Sequence, residues 1–519
     1  MAQKYDKSLI LRILKMKRHF LILLIFTLSW SALQAQTRIT VKYTDLLKPG
    51  VVNNQPVRKL LGNVHLIQGT TNIYCDSAYF YQNNNSAQAF GNVHILDEVD
   101  TLDLRGEYME YEGNNRLVKV RRNVIFKDDS TNLYTEFLDY NRDTDTGYYF
   151  NGGKLVDSTN VLTSTRGYYN SRTKKAQFID SVVLVSPDFY METDTLDYFT
   201  VEKEALSSGR TYALTAEKDT LRSTRGMLYK QLEQYSEVYK GTIITAEYEI
   251  KGDTLIANDS LKYYQGMQNV TLESFEDSLK IYGNQVRYDK LTSTAKVYDQ
   301  AYLRKMMLGD SLFIKGDTLL SIQNEEKSEK LLSAYFGAQM YKSDMQARAD
   351  SLTYNISDST IYMFRDPVIW NIDSQITADS IRITTANNRI HRMYLTQNSF
   401  VISQDSSQNF NQVKGRDMVI YFEDGYIERS DVFGNGESIY FTGDTGGGSS
   451  SMNSLKCSNM SIFFSNNFVT ELRNYREVDG SLIPPFEIND PERKLRGFVW
   501  RIREKPTLQS IVKRLRYDR

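Results

Sequence analysis

A six-residue phrase that returns every 28 to 31 residues restricts this chain to a narrow set of folds. It consists of a small or polar residue, two more residues, an apolar residue, one more, and an aromatic or aliphatic residue. It reads Cys75, Asp76, Ser77, Ala78, Tyr79, Phe80 at its first clear appearance, then Gly106 to Tyr111, Thr135 to Tyr140, Thr193 to Tyr198 and Ala349 to Tyr354. Successive frames end at 80, 111, 140, 170, 198 and 229. A second phrase precedes it: Gly62, Asn63, Val64, His65 returns 29 residues later as Gly91, Asn92, Val93, His94, with echoes at Arg122 to Ile125 and Gln268 to Thr271. Such a period belongs to a quasi-one-dimensional stack of similar units. Function is then expected along an extended surface rather than at one point.

Within each unit polar and apolar residues alternate, as in Leu102, Leu104 against Asp103, Arg105, and Val118, Val120 against Lys119, Arg121. Period two predicts half-buried strands. The intervening clusters, Asn83 to Asn85, Gly113 to Asn115, Asp128 to Ser130, Asn141 to Asp145, Gly152 with Gly153, Ser171 to Thr173 and Asn387 with Asn388, are hairpin connections, because Asn, Asp and Gly tolerate left-handed backbone. Only eight prolines are present, so the ladders run unbroken. Helical spacing appears at Leu508, Ile511, Val512 and Leu515, with Lys513, Arg514 and Arg516 opposite: a short basic amphipathic helix that either lies on a membrane, docks a partner or caps the last strand. The repeat loses phase around Gln231 to Tyr239 and Ile322 to Lys330. The expected division is residues 1–35, 36–235, 236–480 and a basic tail, 481–519, with Gly446 to Ser451 a flexible loop.

Lys15, Lys17 and Arg18 precede the apolar run Phe20 to Leu28, and small and polar residues follow to Ala35. This predicts an export signal cleaved after Ala35, the alternative being an uncleaved anchor. Residues 1–36 carry six Lys/Arg against Asp6, so a whole-chain charge of −1 leaves the rest at −6. That balance argues against generic nucleic-acid binding. Cys75 and Cys457 both fill the small first position of the frame, as half-buried small residues or as a disulfide that export would permit.

Chemistry is sparse. His65 and His94 copy each other across the repeat and His391 stands beside Arg389 and Arg392, so no metal set forms. Asp76, Glu107, Glu136, Asp194, Asp259 and Asp350 occupy one repeat position, which reads as a turn-bonding or solvent-facing role and not as a catalytic pair. No nucleophile or phosphate-loop motif occurs. A non-enzyme without cofactor or metal is expected.

The signal, the Gly62 to Val64 and Gly91 to Val93 phrase, and the Asp76 to Phe80 phrase together resemble the OstA/LptA family of lipopolysaccharide-transport proteins, specifically its larger exported OstA-like members. The resemblance implies an all-β fold: an elongated, twisted β-jellyroll of stacked hairpins, partly open along one seam. It also implies periplasmic transport of lipopolysaccharide toward the outer membrane, with lipid A acyl chains in an apolar groove. Partners would be other transport proteins of the inner and outer membranes, joined by terminal strands, with end-to-end self-association as a variant. Groove candidates are Ala78, Phe80, Met109, Tyr111, Leu138, Tyr140, Leu196, Tyr198, Tyr229, Tyr263, Tyr288 and Tyr354. Sandwich core and lipid lining share one period, so both readings stay open for them. Arg501, Arg503, Lys513 and Arg514 are candidates for phosphate contact. The competing reading is a structural or adhesive β-solenoid that binds glycan or protein, at the surface or in the periplasm.

Overall fold

The computed structural model describes residues 37–512 apart from 98, 100, 101, 308, 325–328, 387, 388, 406, 424, 425, 443–450, 466 and 467. The export signal, most of the Gly446 to Ser451 loop, the Asn387 and Asn388 turn, part of the Ile322 to Lys330 stretch, and Lys513 with Arg514 lie outside the described residues. Contacts divide the chain into two compact units, Met1–Pro187 with Asp194–Val201, and Asp188–Thr193 with Glu202–Arg519. Both are antiparallel β structure.

In the first unit β1 (Thr40–Tyr43), β2 (Leu46–Val52), β3 (Gln55–Gln68), β4 (Thr71–Tyr81), β5 (Ser86–Asp97), β6 (Leu102–Glu112), β7 (Leu117–Asp128) and β8 (Thr131–Asn141) follow in chain order. From β3 to β8 each strand pairs with the next, while β1 and β2 share the outer edge of β3. The pleat turns alternate residues to one side, so Val118, Val120, Val124 and Phe126 of β7 are buried.

The two repeated phrases form a single device. On β3, Leu61 faces Ser77 and Val64 faces Cys75, so Gly62 and Asn63 together oppose Asp76 in a β-bulge. Gly91 and Asn92 repeat it, at φ 73° and 43°. Asn92 Nδ2 donates to Asp76 Oδ2 at 2.9 Å, and Asn63 Nδ2 to Asp45 Oδ2 at 2.9 Å. A Cβ at Gly91 would stand 2.3 Å from Asp76 Oδ2, which is why glycine precedes the asparagine. The recurring carboxylate therefore binds the asparagine corner of the strand that follows it. The small first residue of the frame lies inside the bend: a Cβ at Gly106 would meet Val120 Cγ1 at 2.4 Å. Cys75 takes this place on β4, and both Cys75 and Cys457 are buried free thiols.

The bend folds each strand back over itself. Tyr111 aligns through Ala87 and Phe80 with Arg58, ten residues from Gln68 on β3, about 33 Å away in a straight strand. Yet the Tyr111 hydroxyl donates to Gln68 Oε1. The halves on either side of the corner are thus facing layers. Phe126 of one layer packs against Tyr140 and Tyr169 of the other, at ring centroid distances of 5.3 and 5.7 Å.

The second unit reuses these parts. Asn269 Nδ2 donates to Asp253 Oδ2 at 2.6 Å, and Gly283 and Gly415 leave room for Val297 and Val432. Between residues 290 and 423 strands part at the corner, as Met345–Ala349 and Ser351–Asn355 do around Asp350, and Tyr426–Thr442 and Ser451–Ser465 again run through it. The expected boundary at 235 falls at the start of strand Tyr235–Ile244, which is paired on both sides. Phe468–Tyr475 and Asp479–Ile483 pair along the outer edge of Ser451–Ser465. Residues 485–512 then run back over this unit. They end in the single helical turn Leu508–Ile511, whose capping Thr507 accepts from Ser510 N and whose Ile511 is buried against the sheet. The described start of the amphipathic segment, Leu508–Ile511, docks on its own body.

Candidate functional site

Opposite the corners, two rows of turns meet along a seam. Turns of one row are tied to each other by main chain: Gly113 N to Asn85 O at 2.9 Å, Arg142 N to Arg116 O at 3.0 Å, Ser171 N to Asp145 O at 3.0 Å. Across the seam, side chains make the connection. Gln68 Nε2 donates to Gly113 O at 3.0 Å. Arg142 Nη2 meets Asp97 Oδ2 at 2.6 Å, and Thr70 and Thr71 hydroxyls also donate to that oxygen, both at 2.8 Å. Lys174 Nζ meets Asp128 Oδ1 at 2.6 Å and Asp129 Oδ2 at 2.7 Å. The sequence reading expects an opening here. At these positions the structure bridges the seam, because Gln68, Asp97 and Asp128, each five residues after a corner asparagine, are satisfied by a partner from the facing row.

The inner tyrosines join the same latches. Tyr169 Oη donates to Asp128 Oδ2 at 2.5 Å, and Tyr198 Oη to Asp157 Oδ2 at 2.5 Å, with Asn160 Nδ2 on Tyr198 Oη at 2.8 Å. In the second unit Tyr264 donates to Asp219. The ring fills the apolar interior while the hydroxyl reaches the polar rim, which is a reason for the repeat to use Tyr in place of Phe. Burial pushes the Tyr140 and Tyr288 phenols up to about 12. Burial first, and then Asp219, hold Tyr264 far above the ordinary tyrosine range.

A larger cluster closes the second unit's seam. Lys290 Nζ donates to Glu217 Oε2 at 2.7 Å, Asp219 Oδ2 at 3.1 Å and Asp259 Oδ1 at 3.2 Å, while its ammonium lies 4.2 Å from the Tyr264 ring centroid. Lys262 also pairs with Glu217. The three carboxylates have oxygens within 4.8 Å of one another, and Lys290 supplies the cation among them. Burial opposes the Lys290 charge, but Glu217 and Asp219 outweigh it and raise its pKa. Lys330 pairs with Asp277 beneath the Tyr248 ring.

Eleven of the twelve predicted groove residues, Ala78, Phe80, Met109, Tyr111, Leu138, Tyr140, Leu196, Tyr198, Tyr229, Tyr288 and Tyr354, are buried. Tyr229 stacks on Phe189 at 3.8 Å. Tyr263 is displaced by one residue: it is half-buried with Arg287 over its ring at 4.9 Å, and Tyr264 takes the inner position. The 34-residue step has left the frame strand: the frame acid of this unit is Asp253 on Tyr248–Asn258, and Tyr263 opens the next strand, Tyr263–Ser274, which carries Asn269. Of the phosphate candidates, Arg501 is held by Asp366 at 2.7 and 2.8 Å and by Glu504, and Arg503 is exposed. Lys513 and Arg514 lie outside the described residues. Sequence reasoning missed the latch acids. The available signal was a polar residue five positions after each asparagine: Gln68, Asp97 and Asp128.

Residues 36–194 match the family of OstA-like proteins, so this stretch is an OstA-like domain. Among solved structures, the chain is similar to LptH, the LptA-homologous periplasmic component of the conserved lipopolysaccharide transport device from Pseudomonas aeruginosa. That similarity is 14% identity over 23% of this chain and 82% of LptH, at a TM-score of 0.20. No curated protein matches the chain.

Proposed function

From an OstA-like domain at residues 36–194, we propose that the chain carries lipopolysaccharide through the periplasm toward the outer membrane, sheltering lipid A acyl chains between its two layers. The observation that carries this reading is the asymmetry of the two edges. At the corner, each strand passes covalently from one layer to the other. At the seam, the layers meet through side chains that water or a ligand can satisfy equally well.

Magnitudes favour opening when an acyl chain is the occupant. Keeping a twelve-carbon chain from water is worth roughly 9 kcal/mol at about 0.8 kcal/mol per methylene. Separating one latch exposes both partners to water, which repays most of the lost ion pair, because solvated pairs are worth about 1 kcal/mol or less. The freed Arg142, Lys174 and Lys290 would then face the phosphates of lipid A as charge-assisted donors. Repeated, similar contacts suit passage along the interior better than one tight pocket, and energy for movement comes from elsewhere.

The outer edges supply the joints. In the first unit β2 exposes Leu46, Leu47 and Val51, and in the second the outer strands expose Tyr475 and Leu482. Unpaired strand edges of this kind accept a further strand, either from membrane-bound partners of the transport system or from a second copy. The role is binding and carriage, in the periplasm.

The test is photo-crosslinking in growing cells, with the probe at inner Tyr140 and, as a control, at outer Tyr168. Lipopolysaccharide adducts at Tyr140 without adducts at Tyr168 are expected. Adducts confined to glycan or protein, or equal labelling at both positions, would contradict the proposal and favour an adhesive role.

A further inference from the structure

The outer face of one sheet in the second unit has a composition that a solvated face would not have. Gln346, Trp370, Gln375, Ile402, Gln412 and Ile439 are successive cross-strand partners, so they share one face. All six are buried, with Gln375 at 1% and Gln412 at 0% exposure. Their neighbours Ala347, Ile369 and Ile376 point to the other side, into the interior. This sheet is therefore covered on both faces, and its outer cover is the segment after Pro485.

The glutamines read that segment through its main chain. Gln412 Nε2 donates to Arg493 O at 2.7 Å while its Oε1 accepts from Leu495 N at 2.8 Å. Gln375 Nε2 donates to Val499 O at 2.8 Å while its Oε1 accepts from Arg501 N at 2.6 Å. Each carboxamide engages residues two apart and so stands in for a neighbouring strand. Phe410 packs against Phe498 and Trp500, both at 5.2 Å, and Asp366 holds Arg501 through both guanidinium nitrogens. Farther on, Lys315 Nζ donates to Ser510 O at 2.8 Å.

We infer that this face is a binding track for a peptide of the form Leu-x-x-Phe-x-Trp-Arg that turns between its Leu and Phe, occupied in the structure by the chain's own residues 493–511 as a detachable strap. Main-chain reading by side-chain amides, outside any strand ladder, gives a contact that forms after the sandwich and separates without breaking it. The strap crosses strands Phe410–Gly415, Ser374–Thr377 and Asp310–Lys315, and while bound it ties these hairpins together.

The experiment places a specific protease site between Ile488 and Asn489 of the full chain and then cuts it. The fragment 489–519 is expected to remain with the body through size exclusion and to exchange with excess labelled synthetic peptide 489–512, read by fluorescence polarisation. The uncut chain should bind that peptide at least tenfold more weakly, since its tethered strap competes. A peptide carrying F498A and W500A should compete about tenfold or more weakly than the natural one; because this change lies in the peptide, it leaves the body's folding untouched. Equal binding to cut and uncut chain, equal competition by the altered peptide, spontaneous loss of the fragment without rebinding, or loss of the far-ultraviolet β signal when the fragment leaves would each overturn the inference.

Discussion

Removing Arg142 tests whether the seam is held by its latches. The Arg142 guanidinium is 2.6 Å from an Asp97 carboxylate that is itself fully buried, and it also donates to the Tyr111 hydroxyl at 3.3 Å. Arg142→Met keeps much of the volume and leaves Asp97 with other donors, among them Thr70 and Thr71. Breaking a buried pair from one side costs about 3–5 kcal/mol. The surviving donors place this case near the lower end, about 3 kcal/mol. The double variant Asp97→Leu, Arg142→Met removes both charges and should cost less than about 1 kcal/mol, since a well-packed apolar pair replaces a buried ionic one nearly neutrally. Urea unfolding of the full chain, followed by circular dichroism with unchanged m-value, gives both numbers. A single-variant cost under about 1 kcal/mol, or a double variant at least as unstable as the single one, would refute the reasoning.

At a corner, Asn92→Ala loses the bond to Asp76 and places a β-carbon at φ 43°, for an expected cost of about 1–2 kcal/mol in urea unfolding; Asn92→Gly should recover the backbone part. Leu138→Ala in the fully buried interior should cost about 2–5 kcal/mol by the same measurement. Lys174, Lys290 and Lys330 hold their protons more tightly folded than unfolded, because their acidic partners outweigh burial. Their contribution is thus complete below the ordinary lysine value of about 10.4 and is lost as pH rises through the raised folded values. Urea midpoints between about pH 9 and 12 should fall, and less steeply in Lys290→Met. Burial pushes the Cys75 thiol up to about 12, so a thiol reagent near neutral pH should label neither it nor Cys457 until the chain unfolds.

Much of the fold could be read from residue patterns, because a strand's alternation and a turn's left-handed residues are local properties. The phrases at Gly62 and Cys75 marked real corners, and their glycine, asparagine and carboxylate each have a geometric reason there. The closure of the seam was not legible. Asp97 and Arg142, or Asp219 and Lys290, are 45 and 71 residues apart and meet only because strands bend, whereas alternation reports a face and not what lies opposite. Tyr263 shows the same limit on a small scale, since it opens the strand after the one that carries the frame, and Tyr264 takes the inner position. The course of the tail was not legible for a related reason. Its basic residues were candidates for phosphate contact; Arg501 pairs with Asp366 and Glu504, and two glutamines more than 80 residues upstream fix its course.

The seam's response to ligand is the most direct test of the proposed carriage. Asp129 and Arg172 are exposed residues in facing turns, near the Lys174 latch, and the native thiols are buried. Spin labels at Asp129→Cys and Arg172→Cys report the distance across the seam by pulsed electron resonance. With purified lipopolysaccharide the account predicts a shift to longer distances by several ångströms. Lipopolysaccharide bound in stoichiometric amount with an unchanged distance would contradict it.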